Sequence, residues 1–518
     1  MRIGIDWGSH FARVVLVAHG RILQRESGAP DTESVAALVS LVCSRQPKAR
    51  QQVRSLIVAP SRLARSLELG RGLTPTAVVR LTANGQAGVA PFQGWPAQVL
   101  ETRRTGVFVC NGARELDSPA STGPDPGELA AVAARLRTEG FRSAAVTSLF
   151  SPLDATAERM VGSYLHQHVP GLRFTLSHSL GSIGLLEREN GAILNALLVD
   201  EADALATEIR HVAQLARLRV AAYVARHDGT AADIEHVRVH PITAVGARAA
   251  AAARGAVQIA GVTDAIGVRL HDDRCEVTAV RQGYPVRADT SQRLLGVPTA
   301  LPQIDSRTVA FDVGTGGGQP SKDAALLELV EAAGRTSIVA SRSGRAATDR
   351  RRVASRLLDD IERRLAAAVA EARGVDADLP VVLVGAASPM IRLPEERQSV
   401  TRLGQDQAEF AAALGAATAG AGGECDRLFS QGFMNAATRP HDDPATSVLD
   451  EAVLRAVAAG ARMSSIRPLE QSESPVSYLP FRAVRVRARV VGDLMGEYDP
   501  HEVADTTPDV DPSLRWQR

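Results

Sequence analysis

The first seventeen residues, MRIGIDWGSHFARVVLV, constrain the fold more than any later stretch. Ile3 and Ile5 form an apolar strand that runs into Asp6-Trp7-Gly8-Ser9, and β-branched residues at 14–17 begin a second strand at once. The pattern predicts a β-hairpin with a polar tip. Gly8 lets backbone N–H groups approach a phosphate, Ser9 offers a hydroxyl, and Asp6 can hold the waters of a magnesium ion. A plain β-turn accounts for the same residues.

Beyond this hairpin, strands and helices alternate. Residues 31–43 have helical spacing with Asp31 or Thr32 as cap, and 53–59 read as a buried strand. A strand at 78–81 precedes a Gly- and Pro-rich loop at 83–97, where Phe92 and Trp95 are expected anchors. Helix 127–138, strand 141–150, helix 155–168 and strand 172–176 then repeat the βαβ pattern of a parallel or mixed sheet covered by helices. Residues 187–218 read as one or two long helices and 220–225 as a strand. Beyond them come an Ala-rich helix running into a strand over 241–270, a strand at 308–313, a long helix at 347–373 and a buried strand at 381–384. Near the end, Val484, Val486, Ala488 and Val490 alternate with Arg485, Arg487 and Arg489, which predicts a half-buried strand. Residues past about 495 are expected to fray.

A chain of 518 residues exceeds one compact core, so several domains are expected. The net charge of +1 gives no field to draw in nucleic acid, and the arginine stripe at 485–489 lacks interleaved aromatic residues, so no nucleic-acid partner is expected. The most apolar region, 244–262, is interrupted by Arg248 and Arg254, and Asp6 breaks the run a signal peptide needs. A soluble cytoplasmic protein without a membrane partner is the expectation. Cys43, Cys110, Cys275 and Cys425 lack CxxC spacing, which argues against a disulfide framework or a zinc knuckle. His236 and His240 are read on a strand, where a four-residue spacing is not a chelate. His271, Asp272, Asp273 and Cys275 fit turn chemistry, and His166 and His168 fit a helix C-terminus.

Residues 174–197, FTLSHSLGSIGLLERENGAILNAL, carry the most specific pattern. Leu176-Ser177-His178, then Leu186-Glu187-Arg188-Glu189-Asn190, then Leu194-Asn195-Ala196 resemble the hydantoinase/oxoprolinase family at this spacing. Ser148 to Pro152, His227-Asp228-Gly229-Thr230, the run Gly316-Gly317-Gly318, and segments 423–430 and 475–494 resemble further family motifs in order. The resemblance implies an α/β, actin-like (ribonuclease H-like) ATPase fold, with two lobes of mixed sheets covered by helices. It implies a division into an N-terminal lobe at 1–175, an ATPase core lobe at 176–430, a helix-and-strand extension at 431–495 and a disordered tail at 496–518.

The implied activity is ATP-dependent ring-opening hydrolysis of a cyclic amide of the hydantoin or 5-oxoproline type, with ATP and Mg2+ as cofactors. A second hydantoinase-type subunit or a second copy of the chain is the implied partner. Carried onto this sequence, Asp6, Glu187 and Asn190 are the catalytic candidates, and Asp6 is the metal candidate. Gly8, Ser9, Gly261, Thr263, Gly316, Gly317, Gly318, Gly385 and Ser388 are the cofactor candidates. For Glu187 and Asn190, a helix start with a capping carboxylate and a buried amide is the competing reading.

The chain departs from the family at four nucleotide contacts. The first loop lacks its second glycine and second acid. In the gap-free placement the second loop matches at Gly261 and Thr263, while its acids fall on Ile259 and Ile266. The adenosine turn reads Gly385-Ala386-Ala387-Ser388, where each added methyl obstructs backbone approach. Pro60-Ser61-Arg62 replaces a Gly-Thr-Thr turn. Phosphoryl transfer depends on metal and backbone clamping of charge. A catalytically impaired paralogue acting as a binding or regulatory subunit is therefore the alternative function. A sugar kinase, suggested by the first tip alone, is disfavoured by residues 187–195.

Overall fold

The computed structural model describes residues 1–83, 88–101, 103–113, 123–181, 183–270, 274–288, 292–301, 303–311, 325–335, 345–374, 376, 378–385, 387–393, 399–430, 443–477 and 483–495. The opening hairpin forms as the sequence predicts. Strands β1 (Arg2–Trp7) and β2 (Ala12–Ala18) run antiparallel, with Ile3 opposite Leu16 and Ile5 opposite Val14. Strand β3 (Arg21–Gly28) extends the hairpin, and β4 (Ser55–Pro60) lies parallel to β1, buried along its whole length. A strand buried on both faces needs a continuous apolar run rather than alternation, which SLIVAP supplies.

The chain then builds a separate parallel sheet from β5 (Thr76–Thr82), β6 (Thr105–Asn111), β7 (Ser143–Ser148) and β8 (Arg173–Leu176), in the order β6-β5-β7-β8. It returns to the first sheet with β9 (Ala221–Ala225), parallel to β4, and β10 (Ala231–Asp233). The second lobe comprises β11 (Ala265–Leu270), β12 (Arg274–Arg281), β13 (Tyr284–Pro285), β16 (Ser306–Ala310), β17 (Val381–Val384) and β18 (Val400–Leu403), while the small hairpin β14 (Gln292–Leu294) with β15 (Val297–Thr299) packs against the first lobe's core. Strands β19 (Ala421–Phe429), β20 (Arg467–Pro475) and β21 (Val484–Gly492) complete the first sheet, whose order is β20-β21-β19-β10-β9-β4-β1-β2-β3. The first sheet is thus assembled from residues on both sides of 176.

The two lobes repeat one plan. In the first, β2-β1-β4-β9 is a hairpin followed by two parallel strands, and in the second β12-β11-β17-β18 is the same. Each sheet has its own apolar core. One surrounds Ile3, Ile5, Leu56 and Ile57, and a second joins Val268, Val277 and Leu383 to Leu358, Ile361 and Leu365 of the helix Arg345–Arg373. Between the lobes the helices Ala247–Ile259 and Ala411–Ala417 cross in backbone contact. A Cβ added at Gly255 would lie 1.8 Å from the Ala411 carbonyl oxygen, and one at Gly415 would lie 1.8 Å from that of Ala251.

Helix boundaries agree with the sequence reading at Thr32–Ser44, capped by Asp31, and at Pro126–Thr138 and Thr156–His168. Residues 187–218 resolve into two helices, Leu185–Leu197 and Val199–Leu215. Two expectations are corrected. His236 lies on a short helix, Ile234–Val239, not on a strand, and its ring lies 5.1 Å from that of His240, tilted by 54°. Among the described residues no group of three or more potential ligands includes them. Strand β21 keeps the expected alternation over 485–488, with Val486 and Ala488 buried and Arg485 and Arg487 half-buried, but the reading is corrected at Arg489, which is buried against Asp228 and Tyr284. The four cysteines are free and buried. No described helix is long and apolar enough to cross a membrane.

Candidate functional site

The first hairpin ends in a tight turn closed by the Gly8 N–H donating to Phe11 O at 3.1 Å. Asp6, the last acidic residue of β1, is 2 % exposed. Its carboxylate is gripped by Arg248, whose Nε donates to Oδ1 and whose Nη2 donates to Oδ2 at 3.0 Å. Arg13, directly across the hairpin, adds an ion pair at 3.7 Å. Arg248 is in the first turn of the helix Ala247–Ile259, so the helix that joins the lobes delivers the guanidinium to the tip. Burial works against the Arg248 charge, but Asp6 outweighs it and the arginine's pKa is raised. A Cβ on Gly8 would lie 2.7 Å from Phe11 O and 3.3 Å from Arg248 Nη2, so only glycine lets the turn close this tightly against the guanidinium.

The duplicated topology identifies the matching tip of the second lobe. Gly4-Ile5-Asp6 in β1 corresponds to Gly267-Val268-Arg269 in β11. Asp6 pairs with Arg13 across its turn and Arg269 with Glu276 across the other, each partner seven positions on (13 − 6 and 276 − 269). The charges are exchanged: acid opposite arginine in the first lobe, arginine opposite acid in the second. Burial is the main influence lowering the Arg269 pKa, Glu276 and Asp6 favour its charge, and Arg248 opposes it.

This corrects the second-loop reading. Gly261 and Thr263 lie before β11, at the end of the strand away from the tip, where Gly261 has φ +73° and Thr263 O accepts from the Gly283 N–H. A gap-free placement misses the position because it sets the motif on the turn between the helix Ala247–Ile259 and β11, before the strand rather than at its far end. The sequence signal that could have found it is the parallel between IGID and IGVR. Gly316, Gly317 and Gly318 lie outside the described residues.

At the end of β17, Gly385 has φ +137°, and a Cβ there would lie 2.8 Å from Leu270 O. It serves the close approach of this turn to β11. Ser388 is fully buried, and its hydroxyl donates to Leu403 O at 2.6 Å. After β4, the Ser61 N–H donates to Trp7 O, and a helix, Arg62–Leu69, starts at once. Its first residue pairs with Glu201 and Glu208. The residues here form a helix start, not a phosphate turn.

The pattern at 176–196 ties the helix Leu185–Leu197 to the parallel sheet. Glu189 and Arg80 form a two-pronged ion pair with both side chains wholly buried. Asn190 accepts from Trp95 Nε1 at 2.7 Å and donates to Pro298 O at 2.9 Å. Asn195 donates to Thr175 and Val239 O and accepts from the Ile242 N–H. Arg188 reaches Ser148 O and Ser177. Glu158, which the sequence reading did not single out, accepts from Ser148 N, Ser177 Oγ and the His178 backbone and ring. Glu187 sits in the first turn, its carboxylate folded back over Gly184. These contacts place Asn190 in a packed wall, with both ends of its amide engaged, rather than against the tips.

A magnesium ion seated as the sequence reading expects does not fit these residues. Both Asp6 oxygens hold Arg248, and the position in β11 that matches Asp6 is Arg269. Beside a divalent ion at 4 Å and an effective dielectric of about 20, one unit charge is worth roughly 8 kcal/mol, favourable for an acid and unfavourable for an arginine.

No protein-family model matches this sequence, and no curated protein sequence matches it. Solved structures do resemble it. The ATP-dependent caprolactamase from Pseudomonas jessenii superposes with a TM-score of 0.75 at 14% identity, covering 96% of this chain and 88% of that one. A nucleotide-free acetone carboxylase matches with a TM-score of 0.61 at 10% identity over the same shares. The duplicated hairpin-and-parallel-strand plan and these full-length matches together show that the chain has the actin-like α/β fold of the ATP-dependent caprolactamase.

Proposed function

We propose that this chain is a hydantoinase/oxoprolinase-like protein that keeps the actin-like frame but acts as a binding or regulatory subunit, without magnesium-dependent ATP hydrolysis of its own. The observation that carries this reading is the engagement of Asp6 by Arg248, reinforced by Arg269 at the matching tip. Phosphoryl transfer relies on a metal and fixed donors at the phosphates, and loss of such a charge clamp costs orders of magnitude in rate. The family's wall contacts persist because the fold needs them whatever the cleft does.

The second reading is the one the family resemblance implies: ATP- and Mg2+-dependent opening of a cyclic amide, with Asp6 at the phosphates. The full-length similarity to a protein named as an ATP-dependent caprolactamase favours it. Phosphate release from Mg-ATP separates the two, measured with hydantoin, 5-oxoproline and caprolactam, alone and with a co-expressed second subunit. The expected result is no release above that of an Asp6→Ala variant. Amide-stimulated release that Asp6→Ala abolishes would overturn the subunit reading and establish the enzyme.

A further inference from the structure

A sheet edge leaves a row of backbone N–H and C=O groups without a strand to pair with, and most edges in this chain carry features that discourage pairing. Strand β3 holds Arg21, Arg25 and Glu26, β20 holds Pro468, Glu470 and a bulge, and β16 holds Arg307. Strands β8 and β18 are four residues long, each with an arginine. Strand β6, an outer strand of the parallel sheet, has none of these: its seven residues, TGVFVCN, include no charge and no proline, and it pairs in unbroken register with β5. We propose that β6 is the self-association edge of this protein, pairing antiparallel with β6 of a second copy about a two-fold axis at Phe108. The proposal concerns the partner of the chain and stands apart from what the cleft binds or turns over.

Three observations carry it. The first is where the backbone groups point. The Gly112 N–H, just past β6, donates to Thr82 O of β5, whereas the Asn111 N–H turns away to the Glu128 carboxylate at 2.7 Å. Backbone direction alternates along a strand, so Val107 and Val109 face outward as Asn111 does. Among the described residues neither has a hydrogen-bond partner on that side. Two such residues, two positions apart, are self-complementary. Turned about Phe108, Val107 lies opposite Val109 of the second copy and exchanges both bonds with it. The second observation is the surface. Val107 is 41 % exposed and Thr105 and Val109 are half-buried, a β-branched ridge whose members meet their two-fold mates across the seam. The third is charge. The same pairing sets Arg104 opposite Gly112 of the second copy, beside that copy's Glu128, which holds both the backbone and the side-chain N–H groups of Asn111. Arg104 lies over the Phe141 ring at 6.0 Å, and Phe141 shares its core with Leu129 of the helix Pro126–Thr138 that carries Glu128. Arginine and carboxylate are therefore on one face of the sheet, and the axis makes the pair twice.

The test is sedimentation velocity of the full chain over a concentration series, with amide hydrogen exchange on the same samples. A dimer is expected, its Val107 and Val109 amides protected and losing that protection on dilution. Val107→Lys sets a charge on the ridge, and Val107→Pro removes an outward donor that no internal ladder uses, a position where proline is tolerated. Each should raise the dimer dissociation constant roughly tenfold or more. Circular dichroism should be unchanged, and the Phe108 amide, which faces β5, should stay protected. Arg104→Glu, outside the strand, should weaken the dimer several-fold and keeps the test decisive if a Val107 variant loses that Phe108 protection. A chain that stays monomeric throughout the series overturns the proposal, as does a dimer indifferent to all three substitutions. Protection of Val107 and Val109 that appears only beside a co-expressed second subunit would also overturn self-pairing and assign the edge to that subunit.

Discussion

Glu158 is wholly buried and accepts hydrogen bonds from Ser148 N, Ser177 Oγ and both the backbone and the ring of His178. Burial is the largest influence on its carboxyl and pushes the pKa up. The bond and charge of His178, the Arg188 charge and the Ser177 bond together outweigh it and bring the pKa down to about 2. A depressed carboxyl contributes stability that is complete above its ordinary value of 4.5 and disappears as pH falls towards 2. Urea unfolding between pH 6 and pH 3 should therefore show the wild type losing up to ~2 kcal/mol more than Glu158→Gln at the acid end. Parallel pH profiles for the two proteins would refute this role. Ser177, His178 and Arg188 belong to the pattern that stands out in the sequence. Glu158 does not, because a carboxylate in the first turn of a helix is an ordinary partner for the helix dipole and gives no local sign that it will be buried.

The elements most exposed to disruption are the two crossing helices between the lobes. The Ala-rich stretch before β11 is legible as a helix from its spacing. That Ala411–Ala417 would lie on it in backbone contact is not, since each helix alone is a small-residue segment of no fixed partner. Gly415→Ala gains up to ~1 kcal/mol of helix propensity but sets a methyl against the Ala251 carbonyl oxygen. Overpacking of this kind costs about 1–3 kcal/mol, so a net loss in urea unfolding free energy is expected. A variant as stable as wild type would mean that the helices part at little cost. The second-lobe tip makes the same point about legibility. Its strand is readable from apolar residues and the runs IGID and IGVR are alike, but the pairing of β11 with β12 and β17 is what establishes its equivalence to the first tip.

For the whole molecule, ligand binding and stability are linked. A ligand held only by the folded state at a hundred times its dissociation constant adds ~2.7 kcal/mol. Magnesium added to a nucleotide analogue is expected to leave the melting temperature where the analogue alone sets it, because both Asp6 oxygens are engaged by Arg248. A further rise that depends on magnesium would show that Asp6 can be drawn away from Arg248. The sequence alone determined the strands, helices and hairpin tip, since apolar periodicity, caps and turn residues act over a few positions. It also supplied the actin-like expectation, through motifs whose polar groups serve the packing of Leu185–Leu197. Only the tertiary structure decided the character of the site, because the charge on Asp6 is met by an arginine 242 positions away. A carboxylate's chemistry depends on what lies within a few ångströms, and that neighbourhood is set by how two lobes and a connecting helix pack.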